Sequence, residues 1–557
     1  MIARIHAWLR RPYRRGAAGI VALFLAIQLA GLPFMGLTDD DDFYIPAGVS
    51  YAQWLGQIIT FDGRAWTRTG IDEAFKINHE HPPVAKYVFG ICHFVFEGVL
   101  GPSDAARVGT VLFATLAAAL LLVLAFTHLG ARRGLIAGGF AVVALLTLPR
   151  FYFHSHAATL DVPVASMYLA AATLALLAER HRRAVIWAGV VFGLAAATKL
   201  NGPFLVVPYL AFAALVRWRR PASNEAPRAA VLGHFQLPAV PAAAVSMAVV
   251  GPIVFFASWP WMWFDTANRV REYVQFHLNH YGIYFLYFGR LYDKDPFAPW
   301  HAPFTMAAVT VPVAVSMLAL IGVALAIPVV VRRLRSPSTD ERENREADLI
   351  LSSVLHAVVA ICVVAFFAGP KYGGAKLFMP FFPFWCLLAG YGVLRLVEMA
   401  GEVRRDRALA IAASAFAIVS SVALQLRFGG YALSQYNALT GGLRGATAVG
   451  FERQYYDVAF RDLVDWLNIH APQDARVHFL PNNWEYVRTY KWYRKAKTLR
   501  PDIKVINSPS SAQLLVITHE RRFERYGADL QRYRQRPVLT ERVIDGVPLW
   551  SILDLRR

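Results

Sequence analysis

The chain has 557 residues, 56% of them hydrophobic and 17% charged, with a net charge of +19. That composition is one of a polytopic membrane protein. The charge does not signal nucleic acid, because the basic clusters sit at the ends of apolar runs, the positive-inside pattern of cytoplasmic loops. They are Arg10, Arg11, Arg14 and Arg15; Arg132 and Arg133; Arg180, Arg182 and Arg183; Arg217, Arg219 and Arg220; Arg332, Arg333 and Arg335; and Arg404, Arg405 and Arg407. Cys92, Cys362 and Cys386 lie in apolar surroundings with no pairing pattern, which excludes a disulfide framework or a zinc finger.

Apolar spans are expected near 17–36, 105–128, 134–150, 157–178, 184–199, 202–217, 236–257, 303–331, 349–368, 377–396 and 408–426. Each approaches the ~20 residues a bilayer crossing needs. The first lacks an obvious small-residue cleavage site and reads as a retained helix rather than a signal peptide. With Arg10 to Arg15 inside, about eleven spans put every later basic cluster inside and the C-terminus outside. Segment 84–100 is apolar enough to cross, but crossing would move Arg132 and Arg133 outside. It therefore reads as an interfacial or re-entrant helix.

The outer side then carries the loop 37–104, the turn 151–160, the loop 258–302, the turn 369–376 and the tail from about 427. The polar stretch 336–348 reads as a solvated inner linker. The tail has 21 Lys and Arg against 13 Asp and Glu and no span. A helix-like 455–470, strand-like 475–480, helix-like 483–496 and strand-like 503–507, 513–518, 538–544 and 548–553 predict a soluble α/β domain over 431–557. Residues 1–430 form the membrane domain.

Two polar islands interrupt the apolar N-terminal half. The first is Thr38-Asp39-Asp40-Asp41-Asp42-Phe43-Tyr44. Ionised carboxylates beside hydrocarbon cost several kcal/mol unless they reach water, a cation or a proton. One Asp serves as a helix cap; four are more than capping needs. Such a carboxylate suits a general base toward a hydroxyl, or a divalent-cation ligand with a neighbour. The second island is Asn78-His79-Glu80-His81-Pro82-Pro83-Val84-Ala85-Lys86. It is not a His-Glu-x-x-His zinc motif. Its prolines open the next helix, and Lys86 one turn in suits a phosphate or snorkels to the interface.

Further outer residues join these candidates. His154, His156 and Asp161 flank the turn 151–160, where Asp161 also suits a helix cap. Lys199, Lys371 and Lys376 lie on outer turns, where lysines either snorkel or meet a phosphorylated headgroup. His280 follows an aromatic stretch of interface-belt character and is a candidate metal ligand.

Taken together, the acidic pair after the first span, the His81-Pro82-Pro83-x-x-Lys86 turn and the outer Asp161 resemble the glycosyltransferase C superfamily. The similarity is to bacterial relatives of dolichyl-phosphate-mannose protein mannosyltransferase and of lipid A aminoarabinose transferase. Asp40-Asp41 with Tyr44 and Gly48 follow the first-loop pattern, with Asp in place of Glu, which leaves the register among Asp39 to Asp42 open by one residue. Glu80-His81-Pro82-Pro83 follows the second motif, with His81 as in the mannosyltransferase branch.

The resemblance implies a polytopic α-helical fold with its site at the outer face, and a sugar donor on a polyprenyl monophosphate. It implies an inverting displacement on a protein, lipid A or cell-envelope glycan acceptor. Asp40, Asp41 and Asp161 are the expected catalytic group. Lys86, Lys199 and Lys376 are expected at the donor phosphate. Glu80, His81, Tyr44 and His156 are expected on the cavity, and Glu80 and His280 at a divalent metal, which only some branches use. The localisation implied is the inner (plasma) membrane, with the C-terminus periplasmic. A transporter or flippase of lipid-linked sugars is the alternative; it would carry its charges at mid-membrane and repeat its halves, whereas here they gather in outer loops.

Overall fold

The computed structural model describes residues 12–218, 231–232, 235–236, 240–336, 338–367, 369–401, 403–520, 527–533 and 535–556. Arg10, Arg11, Arg219 and Arg220 of the basic clusters lie outside them.

The chain is mostly helical. After α1 (Pro12–Gly31), the loop that follows folds into α2 (Asp39–Ile59), α3 (Arg68–Phe75) and α4 (Val84–Leu100). There follow α5 (Pro102–Leu129), α6 (Ala131–Leu146), the short α7 (Pro149–His154), α8 (Asp161–Ala178), α9 (Arg182–Ala196), α10 (Val206–Trp218) and α11 (Ala242–Ser258). The segment after α11 holds α12 (Thr266–Leu278) and a hairpin of β1 (Phe285–Tyr287) and β2 (Arg290–Tyr292). Then come α13 (Ala302–Thr310), α14 (Val313–Arg335), α15 (Glu341–Phe366), α16 (Phe381–Met399) and α17 (Arg404–Phe428).

Among the described residues seven helices are long and apolar enough to cross a membrane: α1, α5, α8, α14, α15, α16 and α17. The protein is a multi-pass membrane protein. The expected count of eleven would also need α6, α9, α10 and α11, which have 16, 15, 13 and 17 residues. The expected span 303–331 is two helices, because Pro312 supplies no amide to continue α13 and instead opens α14. Residues 336–348 are not a free linker. Most of them are the first turns of α15, whose Glu346 takes Arg133 at 2.6 Å and whose Asp348 takes Arg180 and Arg333 at 2.7 and 2.9 Å.

Those ion pairs mark one end of the bundle. Arg133–Glu398 at 2.6 Å and Arg217–Glu179 at 2.8 Å join them there. Each lies at the end of its helix opposite the acidic first loop. Asp161 opens α8, whereas Glu179 follows its last turn. The two ends thus differ in chemistry: paired arginines at one, the polar islands at the other.

Segment 84–100 is a helix that packs across the first loop. It crosses α2 where Gly48 meets Gly90; a Cβ on Gly90 would collide with the Gly48 carbonyl, so the backbones touch only because neither residue has a side chain. Gly101, at φ 76°, then turns the chain into α5.

The C-terminal region includes α18 (Gly442–Ala448), α19 (Arg461–His470), α20 (Asn483–Lys495) and α21 (Gly527–Gln531). It also carries a five-stranded sheet of β3 (Arg476–Leu480), β4 (Lys504–Val505), β5 (Leu514–Thr518), β6 (Val538–Ile544) and β7 (Val547–Asp554), in the order β4-β3-β5-β7-β6. β3 is parallel to β4 and β5, and β7 is antiparallel to β5 and β6. Leu514 to Thr518 are buried throughout, as a central strand covered on both faces requires. Residues 455–460, expected as helix, are not helical: Leu37 and Ala459 exchange both backbone hydrogen bonds, which ties the tail to the end of the first span.

Candidate active site

The four aspartates of the first island sit in the first turn of α2, and each side chain points to a different task. Thr38 caps the helix in a reciprocal box with Asp41. Asp41 Oδ2 accepts from Thr38 N and Oγ1, both at 2.8 Å, and its Oδ1 accepts from Ala158 N at 2.7 Å. Arg107 Nε lies 3.4 Å away, with both residues fully buried. Asp42 turns to the C-terminal region, where Arg488 Nε and Trp492 Nε1 donate to it at 2.7 and 2.8 Å. The Arg488 guanidinium also stacks on Phe43 and Trp484 at 4.2 and 3.9 Å. Asp40 alone of Asp40, Asp41 and Asp42 faces the cavity described next.

That cavity, of about 580 Å³, is lined by Asp39, Asp40, Phe43, Tyr44, Asn78, Glu80, His81, Leu160, Asp161, Lys199, Tyr372 and Lys376. Phe276 in the last turn of α12, and His280 and residues 281–284 just after it, line it from a third side, and Tyr455, Tyr456, Trp484 and Glu485 from the C-terminal region. At its centre Tyr456 Oη lies 2.7 Å from Asp40 Oδ2 and 3.0 Å from Asp161 Oδ2. Lys199 Nζ contacts Asp161 Oδ1 at 2.5 Å, and His154 Nδ1 lies 3.5 Å from Asp161 Oδ2. Lys376 Nζ lies 3.5 Å from Asp40 Oδ2 and 4.1 Å from the centre of the Tyr456 ring.

The electrostatics follow from this packing. Burial opposes charge on Lys376, but Asp40, Tyr372 and Asp161 outweigh it, and the ammonium is held above the ordinary lysine range. Burial, with Asp161 and Asp40 adding, holds the Tyr456 phenol well above its ordinary value, so it stays a proton donor. Burial, with Lys86 and His277 adding, pushes His81 well down, so it faces the cavity as a neutral imidazole.

Of the expected residues, the structure brings Asp40, Asp161, Lys199, Lys376, Glu80, His81, Tyr44 and His280 to one cavity. Asp41, Lys86 and His156 do not line it, which corrects the expected placement of these three. Asp41 is held by the cap and by Ala158. Lys86 Nζ donates to Asn78 O at 2.6 Å, His81 O at 2.7 Å and Asn78 Oδ1 at 3.0 Å. It neither snorkels nor faces the cavity, because the carbonyls of the 78–81 turn converge on it. Burial pulls its pKa down to about 7 against the pull of Glu80. His156 is buried, with its ring nitrogens 2.7 Å from Tyr152 O and 2.6 Å from Gln28 O.

Among the described residues no third His or acid completes a metal set with Glu80 and His280. Glu80 is held by Asn78 Nδ2 at 2.7 Å, and His280 stacks on Tyr372 at 5.6 Å between ring centroids. The acids that do converge are Asp39, Asp457 and Glu485, whose ligand atoms all lie within 4.8 Å of one another. All-oxygen donors of this kind suit a hard divalent cation.

The contributions of Tyr455, Tyr456, Trp484 and Glu485 were not legible beforehand. The one visible signal is the density of aromatic residues at 455–456 and 484–493. The contact between Asp42 and Arg488 is testable. Asp42→Ala and Arg488→Ala should each cost about 1–3 kcal/mol, and the double variant less than the two together. Chemical unfolding in detergent, read by protease cleavage of the C-terminal region, measures this; additive effects would show that the two do not interact.

Residues 80–243 match the family model of dolichyl-phosphate-mannose-protein mannosyltransferase. The match agrees with the glycosyltransferase C resemblance seen in the first-loop motifs. No curated protein matches the chain. Among solved structures the chain is similar to ArnT from Cupriavidus metallidurans bound to undecaprenyl phosphate, with 16% identity over 96% of this chain and 97% of that one, at a TM-score of 0.46. It is also similar to the oligosaccharyltransferase AglB from Archaeoglobus fulgidus in complex with an inhibitory peptide and a dolichol-phosphate, with 13% identity over 92% and 70% of the two chains, at a TM-score of 0.44.

Proposed function

We infer that the protein is a membrane glycosyltransferase that moves a sugar from a polyprenyl-phosphate donor to a hydroxyl or phosphate acceptor at the outer face of the inner membrane. The observation that carries this reading is the meeting of Asp40 and Asp161 at one phenol oxygen, each with a lysine beside it. A sugar transfer from a lipid phosphate needs such a set: a carboxylate to take the acceptor's proton and cations to receive the leaving phosphate.

In this mechanism the acceptor oxygen attacks the anomeric carbon while Asp40 takes its proton. The bond from that carbon to the phosphate oxygen breaks, and polyprenyl phosphate leaves with the electron pair. Lys376 and Lys199 stabilise the charge that develops there, and the anomeric centre inverts. Asp161 holds Lys199 in place. Glu80, His81 and Tyr44 contact donor or acceptor. A divalent cation, if the reaction uses one, fits the oxygen set of Asp39, Asp457 and Glu485 better than Glu80 and His280, and would add Lewis-acid support beside the donor phosphate.

Cells lacking the protein should accumulate a polyprenyl-phosphate sugar and lose one class of surface glycan, read by mass spectrometry of lipid extracts and envelope glycans. Unchanged pools and glycans would overturn the reading. Loss of outward-facing lipid-linked sugar, with the inward pool raised, would instead identify a flippase.

A further inference from the structure

Tyr456 reaches the site from the C-terminal region, far along the chain from the carboxylates it touches. A phenol carries one proton and gives it to one acceptor at a time. Asp161 already receives Lys199 at 2.5 Å, with His154 at 3.5 Å. Asp40 is therefore the carboxylate that the proton serves, and its distance of 2.7 Å is the shorter of the two. A hydroxyl donating to Asp40 at that distance stands where an acceptor hydroxyl must stand to be activated.

The ring is buried, 3% exposed, with the Lys376 ammonium 4.1 Å above it. The backbone there is left-handed at two successive residues that are not glycine, Tyr456 at φ 83° and Asp457 at φ 46°. Each such residue costs about 1–3 kcal/mol and is held only by its surroundings. Strain of this kind clusters at ligand clamps and switch segments, which suits a residue that changes its hydrogen-bond partner.

Resting on the transferase reading, we propose that Tyr456 holds the acceptor's place on Asp40 until an acceptor arrives, and so keeps water from being activated against the donor. The reaction it prevents is donor hydrolysis. There the water oxygen bonds to the anomeric carbon, and the bond to the phosphate oxygen breaks with its electron pair leaving on polyprenyl phosphate. One water proton passes to Asp40 and the other remains on the new anomeric hydroxyl. An acceptor hydroxyl displaces the phenol from Asp40, and the phenol turns its proton toward Asp161. Tyr456 is a positioning residue: it acts through Asp40.

The test compares wild type with Tyr456→Phe, which keeps the ring and removes the hydroxyl. The probe is the polyprenyl-phosphate-sugar fraction extracted from cells lacking the protein. With no acceptor, free sugar release should rise about tenfold in Tyr456→Phe, the scale of one hydrogen bond, so that the ratio of hydrolysis to transfer rises. A merely structural defect would lower both together; that result, or unchanged hydrolysis, overturns the proposal. A second arm needs no donor. In Asp40→Cys the thiol should react slowly with a water-soluble thiosulfonate, and several-fold faster once Tyr456→Ala is added. Equal rates overturn the proposal. If wild type consumes none of the lipid-linked sugar, the transferase reading fails by itself, and the thiosulfonate rates still decide whether Tyr456 covers Asp40.

Discussion

Asp40→Asn should lower turnover by about 10²–10⁴, the usual contribution of a general base, while the protein still inserts and folds. The amide keeps the size of the carboxylate and can still accept from Tyr456, so the cavity keeps its shape. What it loses is basicity and the negative charge opposite Lys376. Two neighbours separate this chemistry from structure. Asp41→Asn removes a carboxylate that caps α2 and holds Ala158 N and Arg107, so it should cost stability before it costs chemistry. Asp42→Asn should loosen the C-terminal region, through Arg488 and Trp492. The check is turnover against unfolding midpoint for the three variants. Asp40→Asn should fall far off the trend set by the other two. Near-normal turnover in Asp40→Asn would remove it from the mechanism.

The second large effect lies at Lys199. Its ammonium is 18% exposed in the side chain and sits 2.5 Å from an Asp161 side chain that is 2% exposed. Removing a preorganised charge aimed at a developing anion costs about 10²–10³ in turnover. Lys199→Met should show that loss, and raising the donor concentration should not recover it, because the charge is needed mainly as the phosphate leaves. The pair acts as a unit. Lys199→Met with Asp161→Asn should therefore be no worse than the poorer single variant, since neither is left with an uncompensated buried partner. Additive losses would mean that each residue acts alone.

The residues of the first loop were readable because their cost was readable. Four carboxylates beside apolar spans demand partners, and Asp40, Asp41 and Asp42 each meet one that a local pattern does not name. That Asp40 rather than Asp41 faces the cavity depends on the capping box with Thr38, which turns Asp41 inward. Lys86 misled because its position, one turn into a helix, is right for a phosphate contact; the carbonyls of Asn78 and His81 that take its donors come from a turn whose path no periodicity gives. The sheet strands of the tail were legible from their short apolar runs, and β3, β5, β6 and β7 lie within a residue or so of where alternation put them. The segment 455–460 was not legible. Its helical pattern is overruled by pairing with Leu37, more than four hundred residues earlier, and that pairing delivers Tyr456 to Asp40. The half of the cavity that holds Asp40, Glu80 and His81 was thus written in local chemistry, and its cover from the tail in a contact that only the fold supplies.

The most direct measurement is consumption of the polyprenyl-phosphate sugar that accumulates in cells lacking the protein. Purified wild type, given that lipid fraction and an envelope extract as acceptor, should convert it to polyprenyl phosphate with the sugar recovered on an acceptor, and Asp40→Asn should not. Lipid-linked sugar left untouched by wild type, or consumed equally by Asp40→Asn, would contradict the assignment of this cavity as a site of sugar transfer.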